Sequence, residues 1–440
     1  LHLISVPMGT LTSLYETAID YFCRDKKRNM QPKVIASTAT TKSASSQIEI
    51  LFNRNTKIFP PQGFEFGKTF FSTVNLEKDG KIFLGISPTA RSQLTILAMS
   101  AASFMRKIRN LQEKGIEDAI LDPYYTLISY FNSKRELGGA YGTFKDTVPD
   151  YVEQIYYNIE QRRSPEPPVS SSASEGGKPA QVVSKKYFKS KIMEDQELTS
   201  RKSSGEIPTI LKELSNPVPN ALDYLLCTNM LSVGVDVPRL GLMIVNGQPK
   251  NHSEYIQATG RIGRTHPGLI LTIYNSLKPR DLSHFENFKL YHSAFFKYVE
   301  PISITPFASR SRDKGLFAIC VGMLRNMVPL IAKDPEKFNL DFVGIKDAIS
   351  EIRTEFSNRV DKTDHEQLKN TLKEIDEYFD WWANHVADSR SGKKLKYRST
   401  PYTTKNEREK TNYLLTTVES GNKSLKGIPT TPMSLRDAEQ

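Results

Sequence analysis

At 440 residues the chain exceeds one hydrophobic core, because single cores stop growing near ~250 to 300 residues, so two or three domains are expected. Hydrophobic residues at 38% and charged residues at 25% exclude a disordered or fibrous chain. An excess of 60 Lys plus Arg over 49 Asp plus Glu, net +11, favours a polyanionic partner through long-range attraction.

Cys23, Cys227 and Cys320 lie far apart, in no CxxC or Cys/His spacing, so neither a disulfide framework nor a zinc site is expected. The histidines show no metal-ligand spacing either, and no metal is expected on this chain. No apolar run approaches the ~18 to 20 residues of a membrane span, and Leu1 to Gly9 lacks a basic n-region. A cytoplasmic location with no membrane partner is the expectation.

In chain order, the apolar run Lys33–Ser37 predicts a buried strand, followed by a helix in which Ala44, Ile48, Leu51 and Phe52 share one face. Gly63-Phe-Glu-Phe-Gly67-Lys68-Thr69 ends like a phosphate-binding loop. Its spacing is one residue short, however, and the following FFSTV reads as a strand where such a loop needs a helix N-terminus. Strands are predicted at Ile82–Ile86, Tyr124–Phe131, Tyr224–Thr228, Leu242–Asn246 and Leu269–Tyr274. Leu94, Leu97, Ala101, Met105 and Ile108 stripe an intervening helix.

Between about 162 and 185 the composition turns to Ser, Pro, Glu and Gly, too apolar-poor to offset chain entropy, and a flexible insertion is expected. Beyond Ser276 the strand signal fades and helical patterns follow at Phe285–Val299, Gly315–Ala332 and His365–His385. A basic polar stretch, Lys393–Lys410, lies beyond. His284, His292, Trp381 and Trp382 fall in helix-period stretches and read as packing residues. Strands alternating with helices predict an α/β parallel sheet.

The strongest local signal is Gln257-Ala-Thr-Gly260-Arg261-Ile-Gly263-Arg264. Alone it reads equally well as an exposed basic turn. Upstream stands Cys227-Thr228-Asn-Met-Leu-Ser-Val-Gly234-Val-Asp236-Val-Pro238, in which Thr228 and Asn229 could equally cap a helix and Asp236 anchor a turn. Tyr130-Phe-Asn132-Ser133-Lys-Arg135 and Ser37-Thr38-Ala39-Thr40 each place polar residues at or after a predicted strand, and Glu197-Leu-Thr199-Ser200-Arg201 reads nearly as well as a solvated polar turn.

Taken together, these segments resemble motifs VI, V, IV and III of superfamily 2 helicases, with Glu197–Arg201 as a further backbone-contacting loop. The opening Leu1-His2 resembles the end of the DE-x-H box. The resemblance implies a RecA-like second lobe over 79–280, preceded at 1–78 by the tail of a first RecA-like domain and followed at 281–440 by a mainly helical appendage.

It further implies Arg264 as arginine finger, with Arg261 and Gln257 also at the phosphates, and an ATP-facing set of Gly234, Asp236, Gly260 and Gly263. Nucleic-acid contacts would come from Thr228, Asn132, Ser133, Arg135, Thr199 and Ser200, and coupling from Ser37, Thr38, Ala39 and Thr40. Guanidinium suits the finger role because its charge is permanent and its fork matches phosphate oxygens. ATP and Mg2+ would be held mainly by an upstream half carrying the P-loop and the two acids, and this chain alone is expected to be inactive.

The strings LHLISVPMGTLTSLYETAID, LGLMIVNGQPKNHSEYIQATGRIGR and KPRDLSHFENFKLYHSAFFKYVEPISITPF resemble the helicase subunits of bacterial DISARM anti-phage systems over roughly Leu1 to Leu316. That resemblance implies DNA as the nucleic acid and other defence-system subunits as partners. A non-catalytic nucleic-acid-binding or protein-docking module and an RNA helicase are the alternatives.

Overall fold

The computed structural model describes residues 7–28, 30–37, 44–61, 63–65, 68–73, 75, 77–163, 197–199, 201–202, 205–231, 235–300, 304–389, 392–398, 411–418 and 430–432. In chain order the elements are α1 (Pro7–Cys23), α2 (Ala44–Phe52), β1 (Lys81–Ile86), α3 (Gln93–Glu113), α4 (Asp118–Tyr125), β2 (Leu127–Phe131), α5 (Lys134–Gly142), α6 (Val148–Arg163), β3 (Glu197–Leu198), α7 (Glu206–Leu214), β4 (Tyr224–Cys227), β5 (Leu242–Asn246), α8 (His252–Thr259), β6 (Gly268–Ile273), α9 (Pro279–Glu286), α10 (Phe288–Ser293), α11 (Ser309–Met327), α12 (Val343–Thr363), α13 (Leu368–Ser389), β7 (Lys394–Arg398), β8 (Thr411–Val418) and β9 (Thr430–Pro432). Insertion residues 164–196 lie outside the described residues.

The chain divides into two compact units, Thr73–Glu300 and the discontinuous pair Leu1–Ser72 with Pro301–Gln440. Unit Thr73–Glu300 holds a six-stranded sheet in the order β1-β6-β5-β2-β4-β3, with every pairing parallel. Both faces are apolar, as a parallel sheet covered by helices requires. Ile128, Tyr130, Leu225, Cys227, Met243, Val245 and Ile270 pack with Ile210, Tyr255 and Ile262 on one side. The alternate residues Leu127, Phe131, Leu226, Leu242, Ile244 and Leu271 pack with Leu97, Met105, Leu137 and Phe144 on the other.

The other unit unites the start of the chain with its end. Leu14 and Tyr21 of α1 share a core with Leu316, Ile352, Phe356, Phe379 and Trp382. Asp20, nearly buried, pairs with Arg359 at 2.9 Å and with Arg54 at 2.7 Å. The division thus differs from the linear one over 1–78, 79–280 and 281–440. A contact between residues 339 apart leaves no trace in local pattern. Residues 281–300 group with the sheet, where Asp281 and Tyr291 are buried.

Four expectations are corrected. Lys33–Ser37 is not a strand; it is irregular, and Ile35 is 87% exposed, because an apolar run becomes a strand only where a ladder partner is available. Phe70–Thr73 after the GKT sequence is likewise irregular. The helical region after Ser276 does contain strands, β7-β8-β9, joined as a parallel sheet. β2 also begins later than predicted, since Asp118–Tyr125 is helical.

Candidate functional site

Because the strands of the larger sheet are parallel, their amino ends form one edge and their carboxyl ends another. At the amino edge α8 stops at Thr259. The amide of Gly260 donates to Ile256 O at 2.8 Å, that of Arg261 to Ala258 O and that of Ile262 to Thr259 O, both at 3.2 Å. Ile262 is fully buried and anchors the loop to the core between Arg261 and Arg264.

Gly263 sits at φ +66°, and a Cβ there would lie 2.7 Å from the backbone of Gly268. Only glycine fits, through both its backbone conformation and the close approach. Gly260 is constrained as well, since a Cβ would stand 2.8 Å from Ile256 O.

This loop is laced to the one before β5. Arg261 Nη1 donates to Val235 O at 2.9 Å, Gly263 N to Leu240 O at 2.8 Å and Thr265 Oγ1 to Pro238 O at 2.9 Å. Arg264 forms an ion pair with Asp236 in which the arginine side chain is 34% and the aspartate side chain 73% exposed. The segments read separately as motifs V and VI are therefore one structural object, while Gly234 lies outside the described residues.

Charge gathers there. Burial pulls the Arg261 pKa below its ordinary value and neighbouring Arg264 pulls it further, against the opposing pull of Asp236. Half-buried Lys81, the first residue of β1, donates from Nζ to Thr259 O at 3.1 Å. Burial, and then Arg264, lower its pKa. Gln257 Nε2, one turn upstream in α8, is buried without a hydrogen-bond partner among the described residues. Cations with an unspent amide donor suit an oxyanion.

Along the carboxyl edge, many of the residues expected to contact nucleic acid have local partners. Asn132 Nδ2 donates to the carbonyls of Asn246 and Gly247, both at 3.2 Å. Exposed Ser133 is the N-cap of α5, accepting from Glu136 N. Thr199 is fully buried; its hydroxyl donates to Glu197 and accepts from Arg201 N at 3.2 Å. Nearly buried Thr228 bonds Asn229 Oδ1 at 3.3 Å. Arg135 is exposed.

Ser37 is exposed in an irregular segment, and Thr38, Ala39, Thr40 and Ser200 lie outside the described residues. Sequence reading missed Asn246, Gln248 and Asp281, whose buried Oδ1, Oε1 and Oδ1 atoms, like Asn132 Oδ1, accept no hydrogen bond among the described residues, while Asp281 Oδ2 accepts from Asn275 N at 2.9 Å. It also missed Lys81, whose only signal was its place at the head of the strand that pairs with β6.

His284 and His292 act as packing residues beside Tyr291 and Phe288. His292 Nε2 meets the Tyr255 hydroxyl at 2.9 Å. Trp382 is fully buried, stacked on Phe338. Among the described residues no group of His, Cys, Asp and Glu could hold a metal ion, and no helix is long and apolar enough to cross a membrane.

Residues 178–266 match the helicase conserved C-terminal domain. Over 413 residues the chain is 37% identical to "DISARM protein DrmA" of Bacillus paralicheniformis, covering 92% of this chain and 34% of that protein. The chain thus spans about a third of the length of this relative. Among solved structures, the DUF1998 helicase MrfA bound to DNA and AMPPNP matches with 14% identity and a TM-score of 0.44, over 72% of this chain and 35% of that one. MrfA bound to DNA matches with 14% identity and a TM-score of 0.45, over 81% and 40%. The chain is an α/β protein with a parallel six-stranded sheet, and the strands β3, β4 and β5 of that sheet lie within the residues that match the helicase conserved C-terminal domain.

Proposed function

We propose that this chain supplies the second lobe of an ATP-driven motor that moves on DNA. The supporting observation is the laced amino edge. Arg261 Nη1 is held by the Val235 carbonyl, Arg264 pairs with Asp236, and buried Ile262 lies between the two in the chain. Facing a triphosphate on another lobe, Arg264 exchanges Asp236 for phosphate oxygens and stabilises charge on the transferring phosphoryl group. Gln257 offers its unspent amide to the same oxygens, and Asp236, once released, is free to accept from a ribose hydroxyl. Gly260 and Gly263 give the loop its close approach.

Mg2+ enters this reading as bound to the triphosphate and to that other lobe. DNA crosses the carboxyl edge, where Arg135, Lys134 and the α5 N-terminus capped by Ser133 meet the backbone. The name of the DISARM relative supports placing this motor in anti-phage defence beside other subunits of such a system.

The test is DNA-stimulated ATP hydrolysis by full-length protein bearing its upstream lobe, wild type against Arg264→Ala. Loss of ~10³-fold or more in kcat, the scale of comparable fingers, is expected at unchanged thermal stability. Equal rates reject the finger. Matched RNA strands, added as competitors, test the choice of DNA.

A further inference from the structure

Lys81 is absorbed by no motif. Its ammonium shares the Thr259 carbonyl with the amide of Ile262, so one oxygen at the end of α8 ties the first strand of the sheet to the turn that carries Arg261. A cation at a helix C-terminus is favourable through the orphan carbonyls and the dipole. β1 and β6 are in register there, Lys81 opposite Gly268, and Gly268 packs against Gly263. Lys81 is thus fixed by the sheet and fixes the loop. It also places a half-buried positive charge within electrostatic reach of Arg264.

We propose that Lys81 is a positioning residue for the arginine pair. It pins the Gly260–Ile262 turn through Thr259, and its charge loosens the hold of Asp236 on Arg264, so that the finger leaves its own domain when phosphate arrives. This rests on the finger reading above. It requires charge and a hydrogen-bond donor together at position 81, which arginine reproduces and methionine does not.

The experiment measures DNA-stimulated hydrolysis against pH in full-length protein for wild type, Lys81→Met, Lys81→Arg and Arg264→Ala, with thermal melting of each. Lys81→Met is expected to lose roughly 10- to 100-fold in kcat, the scale of a misplaced catalytic group, with KM for ATP little changed. Lys81→Arg is expected to recover most of that rate. The wild-type alkaline limb, set by an ammonium lowered by burial and by Arg264, is expected to vanish in Lys81→Arg, because guanidinium does not deprotonate. A structural role alone moves no such limb. Wild-type kcat in Lys81→Met, or an unmoved limb in Lys81→Arg, overturns the proposal while an impaired Arg264→Ala leaves the finger reading standing. Undiminished hydrolysis in Arg264→Ala removes that reading, and with it this one.

Discussion

The two edges of one sheet treat their polar groups in opposite ways. At the amino edge the backbone is locked, with Gly263, Thr265 and Arg261 bonded to the preceding loop, while the charged end of Arg264 stays at the surface on an exposed carboxylate. At the carboxyl edge the hydroxyls of Thr199 and Ser133 serve local turns and caps, and Asn132 Oδ1, Asn246 Oδ1, Gln248 Oε1 and Asp281 Oδ1 accept no hydrogen bond among the described residues. Rigid backbone under a displaceable charge fits a group that must reach out. A hydroxyl already spent as a cap adds little to a contact, so under the proposed function the contacts to DNA along the carboxyl edge would fall to amides and cations.

Gly263→Ala breaks the amino edge most severely. A Cβ at φ +66°, 2.7 Å from Gly268 backbone, combines left-handed strain with overpacking and is expected to cost about 3 kcal/mol. Urea denaturation measures it, and a loss under about 1 kcal/mol means the loop is free to rearrange.

Acid tests the carboxyl edge next. His284, on the helix that follows β6, is held down to about 4 chiefly by burial, then by His252 and Arg280, with Glu300 opposing. Its folded pKa lies below the unfolded 6.5, so stability is whole above pH 6.5 and is lost as pH falls toward 4. Discounted for partial exposure, the loss is about 1.5 kcal/mol, and melting curves of His284→Gln should show a shallower fall through that window.

Ser133→Ala is expected to cost about 1 kcal/mol as a lost N-cap. Ser133→Asp keeps the cap and adds negative charge, so equal stability with weaker DNA affinity separates contact from capping; unchanged affinity removes α5 from the DNA path. The smallest effect on stability belongs to Asp236→Ala. The Arg264 pair is exposed, and about 0.5 kcal/mol is the scale of such pairs.

The sheet was legible in the sequence because β4, β5 and β6 are short, apolar and buried, β1 is a short apolar run despite exposed Ile82 and Leu84, and Leu97, Ala101 and Met105 repeat at helical spacing into the same core. The strand at Lys33–Ser37 was misread because the run was judged without its neighbour. The strands β7 to β9 went unseen among Lys, Arg and Thr, which carry little apolar alternation. At the site, the letters of motifs V and VI named residues but could not say that Val235, Pro238 and Leu240 would offer their carbonyls. Nor could they show that Thr199 would turn inward, because hydrogen-bond spending is decided by packing.

The discontinuity of the unit built from Leu1–Ser72 and Pro301–Gln440 bears on biosynthesis. At ~5 to 20 residues per second, α1 leaves the ribosome roughly 10 to 50 s before α11 and α12 are made. Through that interval Leu14, Asp20 and Tyr21 lack the Phe356 and Arg359 that later enclose them. Nascent chains halted near residue 300 should therefore hold a folded sheet behind an apolar helix awaiting its partners, and that helix is where a holdase chaperone would engage.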